Sequence, residues 1–216
     1  GQVTNQFLAA GGVASFGYAE GTAAWDVDPR GNRLTRTFDA DGREVSTVRR
    51  DGATSWFAHD GHGHVITNID AKGGVRVSSY DARDNLVSVD EIGAGLVRRT
   101  SFGYDAFNRL VAETNALGDV TTYEYDASDR LVRTVYPDES ADVCVWTAQG
   151  LMAAQVRMSS GGSEMRRVAC QYDARGLPVS RTVTGIGLPA DGVTETFAYD
   201  ASGNRISQTD AEGRTT

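Results

Sequence analysis

Three histidines fall within six residues, His59-Asp60-Gly61-His62-Gly63-His64. Closely spaced imidazoles with a carboxylate could hold Zn²⁺ or Ni²⁺, with Asp60 as an oxygen ligand. No pair among them has a zinc-ligand spacing. The expectation is therefore no bound metal; if one were held, His59, His62 and His64 would be its ligands. Cys144 and Cys170 are the only thiols. They occupy equivalent places two strands apart, about 10 Å, beyond the roughly 7 Å Cα limit for a disulfide. They are expected to be free and largely buried. Ser159-Ser160-Gly161-Gly162-Ser163 lacks the Lys-Ser/Thr pair of a phosphate loop and reads as a hairpin tip, as does Glu91-Ile92-Gly93-Ala94-Gly95-Leu96. There is no Gly-x-Ser-x-Gly elbow and no Ser/His/Asp or Cys/His set. The chain is expected to be neither an enzyme nor a cofactor binder: catalytic residues none, cofactors none.

These residues sit in a repeated frame. Units begin at residues 17, 38, 59, 80, 104, 125, 146, 172 and 199, mostly 21 apart, with longer units from Tyr80, Trp146 and Tyr172. A fixed period of this kind signals a repeat architecture. The first column is a ring in every unit but the one starting at Gly17: Phe38, His59, Tyr80, Tyr104, Tyr125, Trp146, Tyr172 and Tyr199. The second is mostly Asp (Asp39, Asp60, Asp81, Asp105, Asp126, Asp173, Asp200), which can accept turn N–H groups in an Asx-type arrangement. The fifth is Gly, Asp or Asn: Gly21, Gly42, Gly63, Asp84, Asn108, Asp129, Gly150, Gly176 and Gly203. Those residues tolerate φ > 0, so the left-handed position of the turn belongs there. The eighth is aliphatic from Ala24 to Ile206 and is expected to face the core.

A second turn recurs as Asp28-Pro29-Arg30-Gly31, Asp70-Ala71-Lys72-Gly73, Asn115-Ala116-Leu117-Gly118 and Asp210-Ala211-Glu212-Gly213. Two residues before the ring lies a mostly apolar column, Phe57, Phe102, Tyr123, Cys144, Cys170 and Phe197. Alternation at period two predicts strands with one aromatic face. His59 and Asp60 then fill the ring and aspartate columns, which gives them a structural reading. The rings are read as packing against the neighbouring strand, in preference to stacking on sugars.

The expected fold is all-β. Tandem hairpins of about 21 residues would form a curved, spiralling antiparallel ribbon, since a flat sheet of so many strands would curl or split. Residues 1–16 read as a partial leading repeat with a turn at Gly11-Gly12, and 17–216 as nine repeats in one continuous domain cut from a longer array. The net charge of −8 argues against nucleic acid or an anionic membrane as the main partner. No apolar stretch approaches membrane-spanning length, no leader is visible, and Gly1 in place of Met reads as a processed or cut start.

The recurring Tyr80-Asp81-Ala82-Arg83-Asp84-Asn85-Leu86-Val87 and Tyr104-Asp105-Ala106-Phe107-Asn108-Arg109-Leu110-Val111 resemble the YD repeat of the Rhs family, over about residues 17–216. That family includes bacterial Rhs polymorphic toxins, C-components of insecticidal toxin complexes, and teneurins. The resemblance implies a spiralling β-shell, which in the bacterial toxins encloses a C-terminal toxic domain. The Asp-Pro-x-Gly-Leu-x-Gly-Gly segment that carries the family's self-cleaving protease has no match here. Asp28-Pro29-Arg30-Gly31 is an ordinary turn followed by Asn32-Arg33.

The expected function is thus a non-catalytic shell segment that helps encapsulate a toxin or effector. Its partners would be the rest of the array, the enclosed domain, and secretion-system or cell-surface components. The expected location is secreted or cell-surface, as part of a larger bacterial protein. The alternative is an extracellular glycan- or protein-binding module using the concave face or the longer hairpins. The structural positions are Tyr80, Asp81, Tyr104, Asp105, Tyr125, Asp126, Trp146, Tyr172, Asp173, Tyr199 and Asp200, with Gly42, Gly63, Gly176 and Gly203.

Overall fold

The computed structural model describes residues 3–7, 13–19, 23–28 and 30–216, with side chains from residue 24 onward. Gly11, Gly12, Gly21 and Pro29 lie outside the described residues. Those residues hold nineteen strands and no helix. The chain divides into two units, Gly1–Phe102 and Gly103–Thr216. The first contains β1 (Val3–Phe7), β2 (Val13–Ala19), β3 (Ala23–Val27), β4 (Arg33–Phe38), β5 (Glu44–Val48), β6 (Thr54–His59), β7 (Val65–Ile69), β8 (Val75–Tyr80) and β9 (Leu86–Gly93). β10 (Leu96–Tyr104) runs from the first unit into the second. The second contains β11 (Leu110–Thr114), β12 (Val120–Tyr125), β13 (Leu131–Val135), β14 (Ala141–Trp146), β15 (Met152–Met158), β16 (Glu164–Tyr172), β17 (Pro178–Gly185), β18 (Val193–Tyr199) and β19 (Arg205–Thr209). Within each unit the strands form a meander, each pairing antiparallel with its sequence neighbours.

Most connections are the same turn. After Tyr125, the Asp126 N–H donates to Arg130 O at 3.0 Å and the Asp129 N–H to Asp126 O at 3.1 Å. Asp129 has φ 61. This is a three-residue hairpin loop, a type I turn closed by a left-handed residue. The same pair of bonds recurs after Phe38, His59, Tyr80, Tyr104, Trp146, Tyr172 and Tyr199. It also closes the second turns, as at Asp28, Asp70, Asn115, Ser159 and Asp210. The lengthened β9–β10 hairpin instead closes on Ala94 and Gly95, with φ 49 and 77. Positive φ at both central residues matches strand twist without splaying the pair. The β17–β18 connection leaves β17 at Gly185, where a Cβ would lie 2.5 Å from Met165 O. Only glycine lets those backbones approach so closely.

A second regularity corrects the reading of the aliphatic eighth column. Tyr125 pairs with Leu131, but Glu124 pairs with Arg133, so Val132 has no partner across the ladder. The same shift skips Val45, Ile66, Val87, Ala153, Val179 and Ile206. The eighth residue is therefore the extra residue of a β-bulge set one step from every such ring. No residue of this column is buried, and Ile206 is 63% exposed. Its aliphatic character alone pointed to the core. A bulge instead bends its strand and increases the local right-handed twist. The few buried residues are small or mid-strand: Val89, Ala141, Ala154 and Val156, with Ser46, Thr134 and Ser140.

Candidate functional site

The joints between successive hairpins concentrate the polar chemistry of this chain. Each joint starts from the turn aspartate. Asp126 Oδ1 accepts the N–H of Ser128 at 2.8 Å and of Arg130 at 3.1 Å. Asp39, Asp60, Asp81, Asp105, Asp173 and Asp200 accept the equivalent two N–H groups. These bonds favour the ionised carboxyl. The Arg130 side chain, then its backbone N–H, holds Asp126 below the usual carboxylate range. The Asn204 side chain does the same for Asp200, and the Leu177 N–H for Asp173. Gly42, Gly63, Gly176 and Gly203 take φ of 79, 92, 79 and 85 at the left-handed position. Asp84, Asn108 and Asp129 take it with φ 61–64.

The residue after that position reaches to the next turn. Arg109 Nε donates to Asp105 Oδ2 at 2.7 Å, while its Nη1 donates to Asp129 Oδ1 at 2.7 Å and Asp126 O at 3.4 Å. Its guanidinium also lies 4.9 Å from the centre of the Tyr125 ring. Arg130 repeats this on Asp126, on Thr147 O and over Trp146. Arg43 repeats it on Asp39 and Asp60 O. Leu151 and Leu177 stand at the same place and lie against Gly176 and Gly203. In the Tyr172 unit the polar link comes from Arg175 instead, which donates to Asp200 O at 2.8 Å. Delocalised and flat, a guanidinium can hydrogen-bond in plane and stack at once.

The ring completes the joint. Tyr125 Oη donates to Leu110 O at 2.9 Å, Trp146 Nε1 to Leu131 O at 2.9 Å, and Tyr172 Oη to Met152 O at 2.8 Å. Leu131 and Met152 each stand just before a bulge position in the preceding unit. A polar-tipped ring satisfies the accepting carbonyl where Phe could not, which accounts for Tyr and Trp in this column. Tyr104 and Tyr199 end β10 and β18 at the same place.

The histidines form a variant of this joint. His64 stands where Arg109 and Arg130 stand, with Nδ1 2.9 Å from Asp60 Oδ2. Its ring stacks on Tyr80, centroids 4.2 Å apart. His62 and His64 both approach Asp84, a residue that reading by sequence proximity leaves out. His59 lies apart from them at the end of β6, its Nδ1 buried without a hydrogen-bond partner. Hydrogen bonding from the His64 side chain is the first cause that lowers Asp60 to about 2. Cys144 and Cys170 are free, but half-buried, which corrects the expectation of largely buried thiols. What burial there is pushes the Cys144 thiol up. Among the described residues, no helix is long and apolar enough to cross a membrane.

The comparisons agree with the repeat geometry. The RHS Repeat family matches residues 80–119, 104–141 and 172–215. No curated protein matches the chain. The fold is similar to part of the crystal structure of TcdB2-TccC3-TEV, with a TM-score of 0.75 and 17% identity. It is also similar to part of TcdB2-TccC3 without its hypervariable C-terminal region, with a TM-score of 0.66 and 14% identity. Both alignments cover 98% of this chain, and they take up 13% and 15% of those chains respectively, so this chain spans a small fraction of their length. The ring-Asp turns, the antiparallel hairpins they close and the RHS Repeat matches together place the repeats of residues 80–141 and 172–215 in the Rhs/YD-repeat family.

Proposed function

We propose that this chain is a non-catalytic wall segment of an Rhs shell that encloses a C-terminal toxin or effector domain. Residues 17–216 would act as nine repeats of one continuous array, with 1–16 as a partial leading repeat, within a longer protein that is secreted or displayed at the cell surface. The observation that carries this reading is the recurring joint. The same turn and bulge recur from Phe38 to Tyr199, with links between hairpins from Arg43, Arg109, Arg130 and Arg175, so the recurring chemistry of the chain is spent on holding hairpins side by side. Recurrence of this kind suits a wall, in which each unit is held by its neighbours. Containment then works by steric exclusion: a chain inside the shell is kept from water, proteases and partners.

Limited proteolysis of the full-length protein tests this. The C-terminal domain should resist trypsin while the array is folded and be digested once the array is unfolded by acid. Digestion of that domain at the rate of the free domain, with the array intact, would overturn the proposal.

A further inference from the structure

The joint between the His59 and Tyr80 units draws its positive charge from a different source than the joint between Tyr104 and Tyr125. In the latter, the Arg109 guanidinium lies between two carboxylates, 2.7 Å from Asp105 Oδ2 and 2.7 Å from Asp129 Oδ1. In the former, Asp60 and Asp84 occupy the two carboxylate positions, and His64 replaces the arginine. An imidazole carries no obligatory charge and offers a lone pair where a guanidinium offers only donors.

The geometry of that replacement is specific. His62 Nδ1 lies 3.2 Å from Asp84 Oδ1, and His64 Nε2 lies 3.7 Å from the same oxygen. Ligand atoms about 2.0–2.2 Å from a tetrahedral Zn²⁺ stand about 3.3–3.5 Å from one another. The opposite nitrogen of His64 is already engaged, 2.9 Å from Asp60 Oδ2. A carboxylate can only accept, so in the neutral imidazole this bond places the proton on Nδ1 and the lone pair on Nε2. Carboxylate–histidine pairs of this kind orient and strengthen metal-binding imidazoles. Asp60 is itself fixed, because its Oδ1 accepts the N–H of His62 at 2.9 Å and of His64 at 3.0 Å.

We propose that His62, His64 and Asp84 bind a divalent transition-metal ion of the Zn²⁺ class, with Asp60 as the positioning residue. As they stand, the two imidazoles lie nearly parallel, 10° apart with centroids separated by 5.9 Å. Among the described residues, no three His, Cys, Asp or Glu side chains already surround one ion position. His62 closes the site by rotating about its side-chain bonds. Its side chain is 69% exposed, so the rotation displaces solvent and leaves packed neighbours in place. His64 stays held by Tyr80 and Asp60. Such an ion would do for this joint what Arg109 does for the other, bridging one turn to the next.

Isothermal titration of the whole chain with ZnCl₂ at neutral pH, paired with thermal unfolding followed by circular dichroism, tests the site. One micromolar site and a higher unfolding midpoint with Zn²⁺ are expected. His62→Ala and Asp84→Asn should abolish binding, Asp60→Asn should weaken it roughly 10–100-fold, and Asp129→Asn should leave it unchanged. His62 and Asp84 are exposed turn residues, so both variants should keep the β spectrum. Absence of binding, or binding unchanged in both variants, overturns the proposal.

Discussion

The joint from Tyr104 to Tyr125 and the joint from His59 to Tyr80 share one backbone plan and differ in the side chain that spans them. Both begin with a turn aspartate bonded to two N–H groups, and both end on an aspartate at positive φ. Arg109 spans the first joint with a permanent charge, while His64 spans the second with a ring that stacks on Tyr80 and a nitrogen turned to Asp84. The backbone fixes where a link is made. The residue after the left-handed position decides what kind of link it is: a guanidinium clamp, an apolar contact as at Leu151, or an imidazole open to ligand chemistry.

Acid should act on both joints at once and produce the largest effect. The turn aspartates are depressed in the folded state, so their contribution is complete above the ordinary carboxyl range and is lost as pH falls through their folded values. For Asp60 the window runs from 3.8 down to about 2. A thermal midpoint that stays flat from pH 7 to 5 and collapses below pH 4 is expected; a midpoint that rises on acidification to pH 3 would contradict the role given to these carboxylates.

Arg109→Ala should separate the two joints. It removes the bonds to Asp105, Asp126 O and Asp129 together, so amide exchange in the turn 126–130 should quicken severalfold, as local opening loses the link that holds the turn. The turn 60–64 should keep its protection, because repeats couple to neighbours only. Equal loss at both turns would show that the links are not local.

Tyr125→Phe is a finer cut. It keeps the ring beneath Arg109 and removes the donor to Leu110 O, which should cost about 1 kcal/mol in denaturant unfolding. Asp129→Asn should do least. That side chain is 74% exposed, and an exposed ion pair contributes roughly 0–1 kcal/mol. A larger loss would mean that Arg109 depends on Asp129 for its position.

Much of the fold was legible in the chain. Period, alternation and turn composition pointed to tandem antiparallel hairpins, and the repeated motif pointed to the Rhs family. Two things were not legible. Alternation counted through Val87 or Val132 cannot see a bulge, because the extra residue is as aliphatic as a core residue. The joints were also hidden, because each is made between units. Arg109 and Asp129, or His64 and Asp84, are 20 residues apart in sequence and meet only when hairpins lie side by side. Aligning columns shows what repeats, and the residue that varies at the column after the left-handed position was the signal for them. Function was legible only to the level of the family, because the residue types that recur in the columns serve the turns and the links between hairpins.

The bulges also bear on how such a chain finds its native pairing. A sequence that repeats itself offers many wrong partners, because a strand slipped by one or two residues still meets another β-forming stretch. A skipped residue whose neighbouring carbonyl is bonded by a ring donor, as at Val132 with the Trp146 indole and Ala153 with the Tyr172 hydroxyl, matches at a single offset. At any other offset the extra residue collides with the ladder and the carbonyl goes unpaired, so errors of pairing are disfavoured hairpin by hairpin while the array assembles.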